Sequence, residues 1–395
     1  MARYENMVPE GTCDKLFKEC EALRNVQNIM TGLFKSHGFS EVITPSLEFY
    51  DVFNGKASAM PQEMMYKLTD SKGRILVMRP DNTLPVARVV STKLKDFQTP
   101  LRLYYNQQVF RISPSLSGRR DEIPQCGIEL LGVSGIKADL EVITTAVDTL
   151  RHLTSDFRLE IGHVAYFKAI IDCLPCNADE KEQIRRYIEL KNYAALTAAL
   201  EDSAKDNAAS RALIELPRLF GGDEVFEKAS AIAPNEAAAQ TIYYLRSIYD
   251  ILCRMGLKNN IMVDLGLVQQ IEYYTGVVFR GYLQGSGEPV LSGGRYDGLF
   301  DGSAEEMAAT GFAVNADAVA NYSAAQGKSN RPDVLIFYDI ADIKAAFEHM
   351  ETVTAAGLVC EMSCFTTIEE STEYALKKGI RRLDIVTETI ETMNI

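Results

Sequence analysis

A switch in hydrophobic period constrains this chain more than any other feature. Strand-like runs fill the region around residues 101–131, helical periodicity takes over from Asn177 to Gly256, and strand signals resume at Ile261. Backbone N–H and C=O groups in a sheet must be paired, so the later strands are expected to complete the sheet begun before the helical stretch. The run Leu101–Arg111, a polar loop through Ser113–Gly118, and Gln125–Leu131 read as two antiparallel strands joined by a long loop. Strand signals return at Ile261–Phe279 and near Val290, and Gly311–Val319 reads as a strand entering a helix.

The flanking segments complete an α+β reading. Leu23, Val26, Met30 and Leu33 fall on one helical stripe, after which Gly38–Pro45 turns extended. Within the helical stretch, Asn177 with Glu180 spells a capping box. Ile184, Tyr187 and Ile188 form one apolar stripe, and Ile242, Leu245, Tyr249 and Leu252 form another. Ser323–Pro332 is a polar, proline-ended linker. Beyond it, strands at Val334–Tyr338, Leu358–Met362 and Leu383–Val386 alternate with two helices in a β-α-β-α-β order, with Gly357 and Gly379 as helix stops. The expected organisation is a core in two parts, 1–176 and 257–322, an all-helical insertion at 177–256, a linker at 323–332, and a small α/β unit at 333–395.

Charge narrows the function. Acidic side chains number 54 against 41 basic ones, a net charge of −13, which gives no broad basic footprint for nucleic acid. No run approaches the roughly 18 apolar residues of a membrane span, and the N-terminus lacks a signal-peptide layout, so a cytoplasmic protein is expected. The 8 cysteines are too few to be a disulfide framework in 395 residues, and reduced thiols are expected. Cys173 and Cys176 lack the companions of a tetrahedral zinc site or a thioredoxin-type redox context, so neither metal nor cofactor is expected.

Three short segments carry the chemistry. On the second strand, alternation puts Gln125, Gly127 and Glu129 on one face and Cys126, Ile128 and Leu130 on the other. Gln125 and Glu129 then stand about 13 Å apart, with a glycine leaving space between them for something small. A solvent-facing strand explains the same pattern. Tyr273 and Tyr274 open a β-rich stretch in which tyrosines serve equally well as packing. In Ser292–Gly298, paired glycines permit close backbone approach, while Arg295 and Asp297 can pair and fix Tyr296. The spacing is not that of a phosphate loop.

Taken together, these motifs resemble the class II histidyl-tRNA synthetase catalytic domain, from Pro9–Thr12 to about residue 320. The stretch Leu267–Tyr274, with Ile271–Phe279 around it, and Leu291–Leu299 look like that family's two histidine signatures. Arg79–Thr83 is similar to its Arg-Pro-Glu-Gly-Thr, and Phe110-Arg111 to the core of its motif 2. The resemblance implies a class II synthetase-like antiparallel sheet flanked by helices. It also implies a histidine site made by Asp81, Thr83, Arg111, Gln125, Glu129, Tyr273, Tyr274 and Tyr296. Asp81, Thr83 and Gln125 would take the α-ammonium, and Glu129 with the tyrosines the imidazole. Ionised Asp81 and Glu129 are acceptors only, which suits both groups.

Departures from the family cluster on the nucleotide side. The catalytic arginine position is Gln269, a neutral amide that cannot stabilise the developing charge as a guanidinium does. Ser113 stands where motif 2 has a glutamate, Asp121 where a loop arginine is expected and would repel phosphates, and Ala318 where motif 3 ends in arginine. The C-terminal unit looks like a shortened anticodon-binding domain, and tRNA is not the expected partner. This pattern resembles the synthetase paralogues that serve as regulatory subunits of short-form ATP phosphoribosyltransferase, the first enzyme of histidine biosynthesis. By that resemblance the chain has no catalytic residues and dimerises through its core. It would join the short-form catalytic subunit in a hetero-octamer, be needed for activity, and transmit feedback by L-histidine. A divergent histidyl-tRNA synthetase or related amino-acid-activating enzyme, and a ligand-free scaffold, are the competing readings.

Overall fold

In the computed structural model, residues 4–54, 61–113, 118–205, 207–268, 274–300, 307–323 and 331–395 are described. The chain forms two compact units, Met1–Ala325 and Gln326–Ile395.

The first unit is built on a nine-stranded sheet. The expected hairpin is its centrepiece: Leu101–Phe110 and Glu122–Leu131 pair antiparallel over their full length, Leu103 facing Glu129 and Gln107 facing Gln125. Beyond Glu122–Leu131 the sheet continues through Ala309–Asn315, Leu291–Arg295, Val277–Leu283 and Phe157–His163, all antiparallel. Ile261–Asp264 then adds in parallel, so strands from before and after the helical stretch do share one sheet.

Helices cover one face of this sheet. Lys18–Ser36 buries Val26, Met30 and Phe34, while the expected stripe member Leu33 is only half-buried, because a 3.6-residue period drifts off a strict 3/4 spacing. Ile136–Leu153 begins behind Gly135, whose φ of 88° is the left-handed conformation glycine supplies. The Asn177 side chain accepts from the Glu180 amide, and the Asn177 amide donates to the Glu180 carboxylate in return, completing the capping box. The segment from Asn177 differs from the all-helical expectation in one respect: Phe220–Gly221 pairs with Ile261–Asp264 as an edge strand. Its helices are not an independent body either. Ile184, Leu196, Leu213 and Leu245 join the same apolar cluster as Leu159, Ile161 and Val263 of the sheet.

The opposite face carries a smaller cluster, with Val86, Leu103, Tyr105, Tyr274, Val278 and Tyr296. This is the face of the candidate site. The second unit has strand order Cys360–Met362, Val334–Tyr338, Arg382–Val386, Ile390–Asn394. The first three are parallel as a β-α-β-α-β order requires, and the last is an antiparallel strand that the sequence reading missed. Gly379 ends the second helix at φ 75°.

Candidate functional site

The register across the sheet assembles the site. Glu129 lies opposite Gly311 on the next strand, Gly311 opposite Gly294, and Gly294 opposite Val278. One row further along, Gly127, Ala313, Ser292 and Arg280 are aligned in the same way. Because alternate residues share a face, Glu129 and Gly311 of the first row and Ala313, Ser292 and Arg280 of the second line one cavity of about 740 Å³. Its lining brings together Asp81, Thr83, Arg111, Gln125, Glu129, Tyr274 and Tyr296. Tyr273 and Gln269 fall outside the described residues.

Glu129 is the electrostatic centre. It is 2% exposed, and each carboxylate oxygen accepts a hydroxyl: Tyr296 donates to Oε2 at 2.5 Å and Thr83 to Oε1 at 2.8 Å. Burial pushes its carboxyl up to about 8, hydrogen bonds from Tyr296, Thr83 and Tyr105 pull the other way, and the Asp81 charge adds to the rise. Gly311 makes this possible, since a Cβ there would stand 1.9 Å from Oε2.

Asp81 and Thr83 come from the turn that starts the helix Thr83–Lys93, where Asp81 Oδ1 accepts the Leu84 amide at 3.0 Å. Burial raises the Asp81 carboxyl, while Arg111 opposes the rise. Arg111 donates Nε to the Pro80 carbonyl at 2.6 Å and holds Nη2 3.9 Å from Asp81 Oδ2. Asn82, which the sequence reading passed over, donates to Gln125 Oε1 at 3.2 Å and so fixes that amide. Burial raises the Tyr274 hydroxyl well above its ordinary value. The charges of Glu129 and Asp81 add to that, and the guanidiniums of Arg280 and Arg111 oppose it. As expected, Arg295 Nη1 pairs with Asp297 at 2.9 Å beside Tyr296, and a buried Asp139 holds the same guanidinium at 2.8 Å.

Two expectations need correction. The space over Gly127 is not open for a ligand, because a Cβ there would stand 2.5 Å from the Tyr105 hydroxyl oxygen and 2.4 Å from the Phe312 carbonyl oxygen. Tyr105 fills it, and its position opposite Gly127 in the hairpin was a legible signal. Nor is the Asp121 carboxylate turned towards bound phosphates. It is buried, accepting from the Tyr66 hydroxyl at 2.5 Å and the Ser113 amide at 2.9 Å, and the Tyr66 hydroxyl is pushed up to about 12 by that bond.

The far end of the cavity is lined by Ser113, Asp317, Ala318 and Asn321. Asp317, next to Ala318 in the chain, is paired with both Lys15 and Arg120, so those two cations are already engaged by a carboxylate. Arg119 is likewise engaged with Glu288 at 2.5 Å. Among the described residues, no cluster of His, Cys, Asp and Glu is arranged to hold a metal, all eight cysteines are free, and no helix is long and apolar enough to cross a membrane.

A family model described as histidyl-tRNA synthetase matches residues 11–319. The chain is 42% identical to an ATP phosphoribosyltransferase regulatory subunit of Clostridium kluyveri, covering 98% of this chain and 100% of that one. It is 36% identical to the protein of the same name from Bacillus mycoides, over 96% and 91% of the two chains. Among solved structures, an ATP phosphoribosyltransferase regulatory subunit/histidyl-tRNA synthetase from Bacillus halodurans is similar at a TM-score of 0.83 and 30% identity, covering 94% of this chain and 97% of that one. A histidyl-tRNA synthetase from Nostoc shares the fold at a TM-score of 0.78 and 20% identity, over 97% and 92%.

Proposed function

The chain belongs to the ATP phosphoribosyltransferase regulatory subunits, within the histidyl-tRNA synthetase family, and on that premise we propose that it is the non-catalytic, histidine-sensing subunit of such an enzyme. It binds L-histidine in the cavity around Glu129, is required for the activity of the short-form catalytic subunit, and carries feedback control of the first step of histidine biosynthesis. Its core forms the homodimer on which a hetero-octamer with catalytic subunits is built. Cytoplasmic residence follows from that biosynthetic role.

One observation carries the reading: a buried carboxylate, clasped by two hydroxyls, faces the same cavity as Asp81, while Ser113 and Ala318 occupy its other end. Asp81 suits an ammonium and Glu129 an imidazole N–H. Asp317 competes for the cations that a triphosphate would need, which disfavours ATP chemistry. Feedback would then be a difference in histidine affinity between two states of the assembly, reciprocal with its effect on the catalytic subunit.

The test is phosphoribosyltransferase activity of a short-form catalytic subunit alone, with this chain, and with this chain plus L-histidine. Activity should rise on adding the chain and fall on adding histidine. In parallel, calorimetry should show histidine binding that Glu129→Ala and Asp81→Ala each weaken at least tenfold. Wild-type protein giving no heat at millimolar histidine would end the sensor reading.

A further inference from the structure

The histidine reading leaves the ligand's carboxylate to be matched, and the inference here rests on that reading. A carboxylate removed from water needs a charged or well-aligned donor, and a guanidinium provides two. Four guanidiniums line the cavity. Arg111 is spent on the Pro80 carbonyl and Asp81, Arg119 on Glu288, and Arg120 on Asp317. Arg280 is the one of the four with no ion pair among the described residues.

We propose that Arg280 is the carboxylate-binding residue of this pocket, supplying the positive charge absent from the sequence at Gln269. Arg280 stands on the strand Val277–Leu283, two residues from Val278, which closes the row that starts at Glu129. Three strand steps of about 4.8 Å and two residues of about 3.3 Å put the two Cα atoms about 16 Å apart. The charged heads are then about 16 Å apart if both side chains stand upright and about 5 Å apart if both lean inward. Histidine plus a hydrogen bond at each end needs about 11 Å, which falls inside that span. Ser292, opposite Arg280, also lines the cavity and is small, while the Tyr282 side chain, on the same strand, hydrogen-bonds with the guanidinium.

The competing role for Arg280 is structural. It lies opposite Glu160 in the strand pair, and its charge opposes the upward push that burial and Asp264 exert on that carboxyl. Histamine separates the two roles, because it keeps the imidazole and ammonium of histidine and lacks only the carboxylate. Calorimetric affinities of L-histidine and histamine should be measured on wild type, Arg280→Gln and Arg280→Lys. Wild type should prefer histidine at least tenfold. Arg280→Gln should weaken histidine about ten- to a hundredfold, leave histamine within about twofold, and so erase the preference, while Arg280→Lys retains part of it. Equal loss of both ligands in Arg280→Gln, or loss of neither, overturns the assignment. A wild type that binds histamine as tightly as histidine overturns it too but spares the histidine reading, whereas a wild type that binds neither removes both.

Discussion

At the scale of single residues, Glu129 dominates. Its carboxyl is raised from the ordinary 4.5 to about 8 by burial, so the folded chain keeps a proton there that the unfolded chain gives up. That difference stabilises the fold fully below about pH 4.5 and fades as pH climbs through about 8. Glu129→Gln, which carries no titrating proton, should therefore gain in thermal midpoint relative to wild type between pH 5 and pH 8.5. An unchanging difference across that range would contradict the raised carboxyl. Ligand binding adds a second signature. An imidazole beside Glu129 shares one proton with it, and free imidazole titrates near about 6.5. Histidine affinity should accordingly peak between about 6.5 and about 8. Calorimetry in buffers of different ionisation enthalpy should show proton release at pH 6 and uptake at pH 8.5. The shared face of Gln125 and Glu129 and the pairing beside Tyr296 were legible from strand alternation and local chemistry, and their reading as a site came from the family resemblance. Tyr105, Asn82 and Arg280 were not singled out, although a lone arginine inside an otherwise apolar strand was a clue in plain view.

At the scale of elements, the strand Ala309–Asn315 and the capping box of the helix Ala178–Glu189 invite contrasting substitutions. An alanine at Gly311 would put its Cβ 1.9 Å from Glu129 Oε2 and 2.3 Å from the Ile128 carbonyl oxygen. Backbone cannot retreat as a flexible side chain can, so Gly311→Ala should cost about 1–3 kcal/mol and abolish histidine binding. Asn177→Ala removes a cap remote from the cavity; it should cost about 1 kcal/mol in urea unfolding while leaving histidine affinity unchanged. Equal effects of the two on binding would mean that the cavity depends on global stability rather than local fit. Long periodic elements were readable because a buried face repeats along them. The strands Phe220–Gly221 and Ile390–Asn394 were not, since an edge strand needs only a neighbour's free backbone groups and leaves little mark on side-chain pattern.

At the scale of the whole molecule, the unit that holds the site is a synthetase fold whose cavity carries carboxylates at both ends. With Ala318 at one end and Asp317 binding both Lys15 and Arg120, these two cations are already held by a carboxylate and are not free for a triphosphate. Histidine-dependent exchange of pyrophosphate into ATP should stay at background, and exchange above it would return the chain to the synthetases. The net charge of −13 points the same way, away from tRNA.

By itself the sequence determined the order of elements and the interruption of the sheet by the helical stretch, because these follow from periodicity along the chain, whereas the acids and phenols of the proposed site were named from the resemblance of short motifs. Only the tertiary structure decided which of those groups meet. The register joining Glu129, Gly311, Gly294 and Val278 links strands far apart in the chain and sets Arg280 on the cavity face, without an ion pair among the described residues, while the packing of another distant segment turns Asp121 inward to Tyr66. Side-chain direction and pairing across strands depend on how distant segments pack, and no local pattern encodes that.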